Sequence, residues 1–229
     1  MPKTAHFTPA LFQFLAELGL NNDKAWFEAN RERFEADVKG PMLRFITEFG
    51  PKLEKISPHF VADPRPNGGS MFRIYRDTRF SKDKTPYKTN TAAQFRHEAG
   101  KDVHAPVFYL HLDPGRVFMG GGVWHPDPES LQKIREAIAE DPKGWMKIQG
   151  KKAFKDALEV GGESLKRPPK GFDPEHPAIE EIKRKDYIVS ATMTVKQACA
   201  PDFMDAYAKT CKAASEYVKF LTDALGLPF

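Results

Sequence analysis

Cysteine is scarce in this chain of 229 residues, and long apolar runs are missing. The two cysteines, Cys199 and Cys211, cannot build a disulfide framework, and their spacing fits neither a zinc knuckle nor a redox Cys-x-x-Cys pair. We expect both to pack as small apolar groups. No stretch approaches the roughly 18 apolar residues of a membrane helix, and residues 1–20 lack the order of a secretory signal peptide. The sequence therefore predicts a cytoplasmic protein with no membrane partner.

A strong excess of charge is also missing. The formal net charge is +4, and the fractions of hydrophobic residues (41%) and charged residues (29%) are close to those of ordinary globular proteins. A positive balance of this size does not establish nucleic-acid binding. The length favours one large domain over two small ones. We therefore predict a single domain over residues 1–229, with a core rich in phenylalanine, of which the chain has 18.

Signatures of common catalytic and cofactor sites are missing as well. No Gly-x-Ser-x-Gly elbow is present, and neither cysteine has a recognisable nucleophile context. The run Gly120 to Gly122 lacks the Lys-Ser/Thr ending of a P-loop and the spacing of a dinucleotide fingerprint. The sequence therefore identifies no cofactor and no reaction, although acid-base chemistry through Asp77, Asp83 or His111 stays open.

Several histidines lie near the predicted sheet without a convincing metal-ligand pattern. His111 and Asp113 have the i, i+2 spacing that would place two ligands on one strand face. A metal site requires three or four converging ligands, so we predict none. Trp124 is either a stacking wall or a core anchor, and its exposure would decide. The other histidines of this region are expected to be hydrogen-bonded or exposed: His97, His104 and His125.

Apolar residues spaced by three or four predict helices in the first quarter of the chain. Thr8 followed by Pro9 predicts a helix start, with the threonine hydroxyl accepting an unpaired amide. Asp23 predicts the start of a second helix. Gly40 and Pro41 predict a break before a third helical stretch.

Alternating apolar residues predict antiparallel sheet in the middle third. Residues 107–112 alternate, residues 113–116 supply a turn, and residues 117–119 return. Gly120 to Gly122 are expected to break the returning strand. Residues 187–195 are rich in β-branched side chains and predict another strand, and a long closing helix is predicted to begin near Asp202.

Helical and strand patterns are segregated along the chain, which is typical of α+β proteins. We therefore predict N-terminal helices and a long C-terminal helix around a central, mainly antiparallel sheet. A curved or barrel-like form of that sheet stays open as an alternative.

Basic residues concentrate between residues 73 and 88. Six basic residues against two acidic ones give this stretch a charge of +4 (6 − 2), which leaves the rest of the chain neutral overall. Arginine forks bind carboxylate or phosphate oxygens in pairs, lysines reach further, and tyrosine can hydrogen-bond or stack. We therefore predict an anion site, with two residues of a proline-stiffened loop as further contributors. The predicted ligand-binding residues are Arg73, Arg76, Arg79, Lys84, Tyr87, Lys88, Arg167 and Lys170.

The same stretch resembles a known family. Residues 72–90, FRIYRDTRFSKDKTPYKTN, are similar to the signature of the bacterial and fungal family called domain of unknown function 2461. The likeness extends to LNNDKAWF at residues 20–27, GGVW at residues 121–124 and the paired prolines of residues 165–172. The resemblance implies one unit from about residue 7 to residue 225, and it implies no known activity.

Three other interpretations of the basic stretch stay open. Asp77 and Asp83 could neutralise the arginines in a structural ion-pair network. The stretch could instead dock an acidic surface of a partner protein. Finally, interleaved aromatic and basic residues resemble a groove for single-stranded nucleic acid. These aromatic residues are Phe72, Tyr75, Phe80 and Tyr87.

Overall fold

A computed structural model describes residues 4–100 and 105–229. Within these ranges an antiparallel six-stranded sheet, in the order β1-β2-β3-β4-β6-β5, packs against a layer of helices. Its strands β1 and β5 are open edges, so the sheet does not close into a barrel and the predicted α+β fold is confirmed. The strands are β1 (Phe60–Val61), β2 (Thr91–His97), β3 (Val107–Asp113), β4 (Arg116–Val123), β5 (Glu159–Gly161) and β6 (Tyr187–Met193).

The helices lie before, between and after the strands, and α10 is the predicted long closing helix. None of the helices in the described ranges combines the length and the hydropathy of a membrane span. The prediction of one domain over residues 1–229 stays a prediction. The helices are α1 (Pro9–Leu20), α2 (Lys24–Ala29), α3 (Arg31–Arg33), a π-helix (Phe34–Lys39), α4 (Gly40–Glu54), α5 (Pro128–Glu140), α6 (Pro142–Gly150), α7 (Lys152–Ala157), α8 (Ile179–Ile182), α9 (Val195–Ala198) and α10 (Phe203–Ala224).

The first helices begin where the sequence predicts, with one difference in capping. Asp23 accepts the backbone N–H of Trp26 at 2.9 Å and so caps α2. Thr8 occupies the corresponding position of α1, but its side chain makes no capping hydrogen bond. Pro9 explains this start without the hydroxyl, because its fixed φ suits the first helical turn.

The predicted break at Gly40 and Pro41 is wrong. The π-helix runs directly into α4, and Gly40 itself has helical backbone angles. The wider turn of the π-helix, in which the Gly40 N–H donates to the Glu35 carbonyl, comes immediately before Pro41, which itself has no amide to donate. The helical path therefore continues from Arg31 to Glu54.

The predicted hairpin of β3 and β4 is confirmed, and its inner face is the centre of the core. Phe108, Leu110 and Leu112 are fully buried there, as their alternation predicts. The long helix α10 covers this face, because a Cβ at Gly121 would lie 3.0 Å from Val218.

The expected strand break at the three glycines is wrong. All three belong to β4 and are buried in the sheet. A Cβ at Gly120 would lie 1.9 Å from the carbonyl oxygen of Val189 in β6. Glycine is therefore needed at this position because the backbone of the neighbouring strand approaches too closely for a side chain.

Between β1 and β2 the chain forms an irregular hairpin, residues 71–90, which we call the basic hairpin. Isolated bridges join Met71 to Ala93 and Tyr75 to Tyr87. Arg76 N–H donates to the Pro86 carbonyl at 2.9 Å. Pro86 cannot donate in return, which interrupts the ladder and explains why residues 71–76 form no regular strand.

Candidate functional site

A cleft of about 210 Å³ lies between the basic hairpin and the helices that precede it. One wall comes from α2, α3 and the π-helix, and the other from the chain that leads into the hairpin. Its lining residues are Phe27, Arg31, Phe34, Glu35, Lys39, Pro66, Asn67, Met71, Phe72, Arg73, Ile74 and Tyr75.

The base of the hairpin is fixed to the helices through Tyr87. The Asn22 side chain accepts the Tyr87 N–H and donates to the Tyr87 carbonyl, both at 3.0 Å. The Tyr87 ring is 3% exposed and stacks on Phe27 at 4.2 Å. Burial raises the pKa of the Tyr87 hydroxyl. Of the predicted site residues, Tyr87 therefore lies in the core, where it supports the hairpin.

The tip of the hairpin, residues 77–85, is held together by its own charges. The Arg76 guanidinium donates to both Asp83 and the Thr85 hydroxyl. The Thr85 amide, followed by Arg76 and the Thr85 hydroxyl, lowers the pKa of Asp83 to about 2. Arg76, a predicted ligand contact, is thus engaged by partners that come from the same hairpin.

Two further predicted contacts are also engaged within the tip. Arg79 forms a bidentate ion pair with Asp77, with a closest distance of 2.7 Å. This pairing lowers the pKa of Asp77. The Lys84 ammonium donates to the Thr78 carbonyl at 2.8 Å. At the tip, the structural-network interpretation therefore describes the geometry well.

The base of the hairpin differs. Arg73 is exposed and lines the cleft. Lys88 donates to the Arg73 carbonyl at 3.0 Å and lies 5.3 Å from the centre of the Phe72 ring. Burial, and secondarily the charge of Arg73, lowers the pKa of Lys88. Within residues 4–100 and 105–229 neither Arg73 nor Lys88 forms an ion pair.

The opposite wall of the cleft contributes two cations that the sequence analysis does not identify. Arg31 donates to both carboxylate oxygens of Glu28, at 2.9 and 2.5 Å. Hydrogen bonds to Glu28 and then to Tyr75 raise the pKa of Arg31. Lys39 pairs with Glu35 at 2.9 Å. In the sequence, such i, i+3 and i, i+4 pairs are typical of a solvated helix face. Nothing local therefore identifies Arg31 and Lys39 as residues of a cleft.

Arg167 and Lys170 do not join the hairpin. Their exposed loop leaves the sheet after β5, whereas the hairpin runs along β2. Three strands lie between, so a strand spacing of about 4.8 Å puts β2 and β5 about 19 Å apart. The loop is tied back to its own side of the sheet by the Leu165 amide, which donates to the Lys183 carbonyl at 2.8 Å.

Within the part of the chain that the structure describes, no group of three histidine, cysteine, aspartate or glutamate side chains could hold a metal ion. His111 bonds the Tyr109 hydroxyl at 3.1 Å and stacks on Phe118. Burial lowers the pKa of His111. His104, which the sequence analysis places near the sheet, lies outside the described residues.

A second constellation surrounds the turn after β4. Trp124 is 69% exposed, so it is no core anchor, and its ring lies 4.2 Å from that of His125. His125 has a positive φ of 50°. The buried carboxylate of Asp186 accepts the His125 N–H at 2.8 Å and contacts its Nδ1 at 3.0 Å. The sequence offers no signal for Asp186, which lies 61 residues away.

Comparison with known proteins identifies the family of this chain and assigns it no function. No curated protein matches this chain. A family model described as "Conserved hypothetical protein (DUF2461)" matches residues 10–220, a range that contains the basic hairpin, the cleft and the turn after β4. The predicted resemblance is thereby confirmed over most of the 229 residues. The chain belongs to the DUF2461 family.

Proposed function

We propose that this protein is a cytoplasmic binding protein for an anionic ligand that bears a phosphate or carboxylate group, held in the cleft beside the basic hairpin. The observation that supports this most directly is the pair of cations at the hairpin base. The Lys88 ammonium donates to the Arg73 carbonyl at 3.0 Å, and neither residue has an ion-pair partner among the described residues. Asp77, whose pKa Arg73 helps to lower, is itself paired with Arg79. A bound anion would give Arg73 a directly contacting negative charge.

Arg73 and Lys88 contribute to anion binding in different ways. The Arg73 fork can donate two parallel N–H bonds to a phosphate or carboxylate. Lys88 is not among the residues that line the cleft, and its ammonium lies at the Arg73 carbonyl beside the Phe72 ring. Its charge therefore adds to the attraction of an anion from behind the wall of the cleft. Across the cleft, Arg31 is paired with Glu28 and Lys39 with Glu35, so the net positive charge of the cleft comes from Arg73.

The test compares two arginines of the same hairpin. Calorimetric titration of the protein with orthophosphate and with succinate is expected to give saturable binding, and Arg73→Ala should weaken it about tenfold, the effect of losing a charge-assisted hydrogen bond. Arg79→Ala is the matched control and should bind as the native chain does, because Arg79 is already paired with Asp77. Equal losses in both variants, or no binding by the native chain, would contradict the proposal.

One observation favours a second candidate, the docking of the hairpin tip on an acidic surface of a partner protein. Phe80 is 95% exposed at the tip, and the Arg79 guanidinium lies 5.8 Å from its ring centre. An exposed aromatic residue beside arginine is typical of interface hot spots. For a partner that docks here, Phe80→Ala should weaken binding while Arg73→Ala leaves it unchanged.

Nucleic-acid binding is the remaining alternative. It is tested by adding short oligonucleotides to the same calorimetric titrations.

A further inference from the structure

Aromatic rings, as well as cations, line the cleft. Tyr75 is 47% exposed there, although its ring packs against Tyr87 at 5.4 Å and Phe27 at 6.4 Å. The two buried rings fix one side of Tyr75. The remaining surface is an aromatic patch that stays open to solvent in a positively charged cleft.

The ring of Tyr75 is also held in place. It packs against two buried rings, Phe27 and Tyr87, and it lies close enough to Arg31 to influence the pKa of that residue. Little rotational freedom therefore remains to be lost when a ligand stacks on the open side of Tyr75. Any nucleobase can stack on such a ring, because every base has a π-face.

The spacing of Arg73 and Tyr75 matches a ligand with a ring at one end and an anion at the other. The two residues are separated by Ile74, where the backbone bends, so their Cα atoms lie at most about 7 Å apart. All three residues line the cleft, and Ile74 is the buried one of the three. A pentose can bridge a phosphate on Arg73 and a base on Tyr75.

The size of the cleft limits the ligand. Its volume of about 210 Å³ is below the roughly 300–1,000 Å³ of pockets that enclose drug-sized ligands. A dinucleotide cofactor is therefore too large. A single nucleotide can be held in part, with its remaining surface in solvent.

From these observations we infer that the ligand is a free nucleoside monophosphate, whose phosphate binds Arg73 and whose base stacks on Tyr75. This inference rests on the proposed function and names the ligand class for the same cleft. On the opposite wall, Arg31 and Lys39 are paired with Glu28 and Glu35, which leaves Arg73 as the cation for the phosphate.

The experiment separates the base from the phosphate. The full chain is titrated with AMP, ribose 5-phosphate and orthophosphate, and AMP should bind about tenfold more tightly than ribose 5-phosphate because of stacking. Tyr75→Leu should bring the affinity for AMP down to that for ribose 5-phosphate and leave the latter unchanged. Phe80→Leu removes another exposed aromatic ring of the same hairpin, outside the cleft, and should change neither affinity.

Each contrary result has a distinct meaning. Equal affinities for AMP and ribose 5-phosphate overturn the nucleotide assignment while the anion site stands. If none of the three compounds binds, the proposed function fails as well. Tighter binding of 5′-phosphorylated tetrathymidylate than of thymidine monophosphate overturns the assignment to a free nucleotide, because the ligand is then a strand end. A midpoint of thermal unfolding equal to that of the native chain confirms that the Tyr75→Leu variant is folded.

Discussion

The tip and the base of the basic hairpin belong to one basic stretch but differ in how their charges are neutralised. Arg79 in the tip and Arg76 next to it pair with Asp77 and Asp83, which lie at most seven residues away in sequence. At the base, Arg73 and Lys88 form no ion pair with a described residue, and Lys88 donates to the Arg73 carbonyl. The difference shows that a concentration of positive charge in a sequence is not one site, since two of the six charges are paired with carboxylates of the same loop.

Support from the core also distinguishes the two ends. The base rests on Tyr87, which Asn22 and Phe27 fix in place. The tip carries Phe80, whose ring is almost wholly exposed. Binding a small anion requires groups held in one geometry, and only the base has that support. The following predictions test this contrast.

The largest effect is expected when the support of the base is removed. Phe27→Ala deletes a buried ring that stacks on Tyr87 and also contacts Phe14 and Phe34. Such a truncation should reduce the free energy of unfolding by about 3–5 kcal/mol, measured by urea denaturation. Phe80→Ala is the matched control at the tip, where the loss should stay within about 0.5 kcal/mol. Similar losses at both positions would show that the base has no special support.

A smaller effect, confined to the tip, is expected on acidification. The pKa of Asp83 is about 2 in the folded chain, against an ordinary value of 3.8. Because the folded pKa is the lower one, this carboxylate stabilises the tip above pH 3.8, and the contribution is lost as the pH falls towards 2. We expect amide exchange at Thr85, which bonds Asp83, to accelerate between pH 4 and pH 2 after correction for intrinsic rates.

The base supplies the internal reference for that measurement. The Lys88 amide donates to the Ile74 carbonyl at 2.8 Å, and no carboxylate takes part in this bond. Its protection should stay constant over the same pH range, and Asp83→Asn should remove the change at Thr85. If both amides lose protection together, the whole hairpin opens as one unit and the tip is not independently held.

Local patterns in the sequence predict much of the fold and only part of the site. The alternation of residues 107–112 and the helical spacing of α10 identify their elements correctly because each pattern lies within one element. The sequence analysis predicts neither the strand β5, whose three residues are too few for a pattern, nor the helix α6, whose first residue, Pro142, follows the last residue of α5 by only two positions.

Some residues of the site cannot be predicted from local sequence because contacts between distant parts of the chain bring them together. Arg73 and Lys88 are identified from composition alone. Arg31 and Lys39 reach the cleft only because the helical wall folds against the hairpin, some 40 residues later in the chain. Nothing in the local pattern distinguishes Arg76, which pairs with Asp83, from Arg73, which forms no ion pair with a described residue.

The smallest effect is expected for Arg79, and it is the most direct test of the contrast. Its ion pair with Asp77 is exposed to solvent, where side-chain entropy and screening offset most of the Coulomb attraction. Arg79→Ala should therefore leave the urea midpoint unchanged within error. Arg73→Ala should leave that midpoint unchanged within error as well, since it removes both a repulsion of Lys88 and an attraction to Asp77. A larger loss of stability in Arg73→Ala than in Arg79→Ala would mean that Arg73 has a structural role. The proposal that the hairpin base binds the anion would then be wrong.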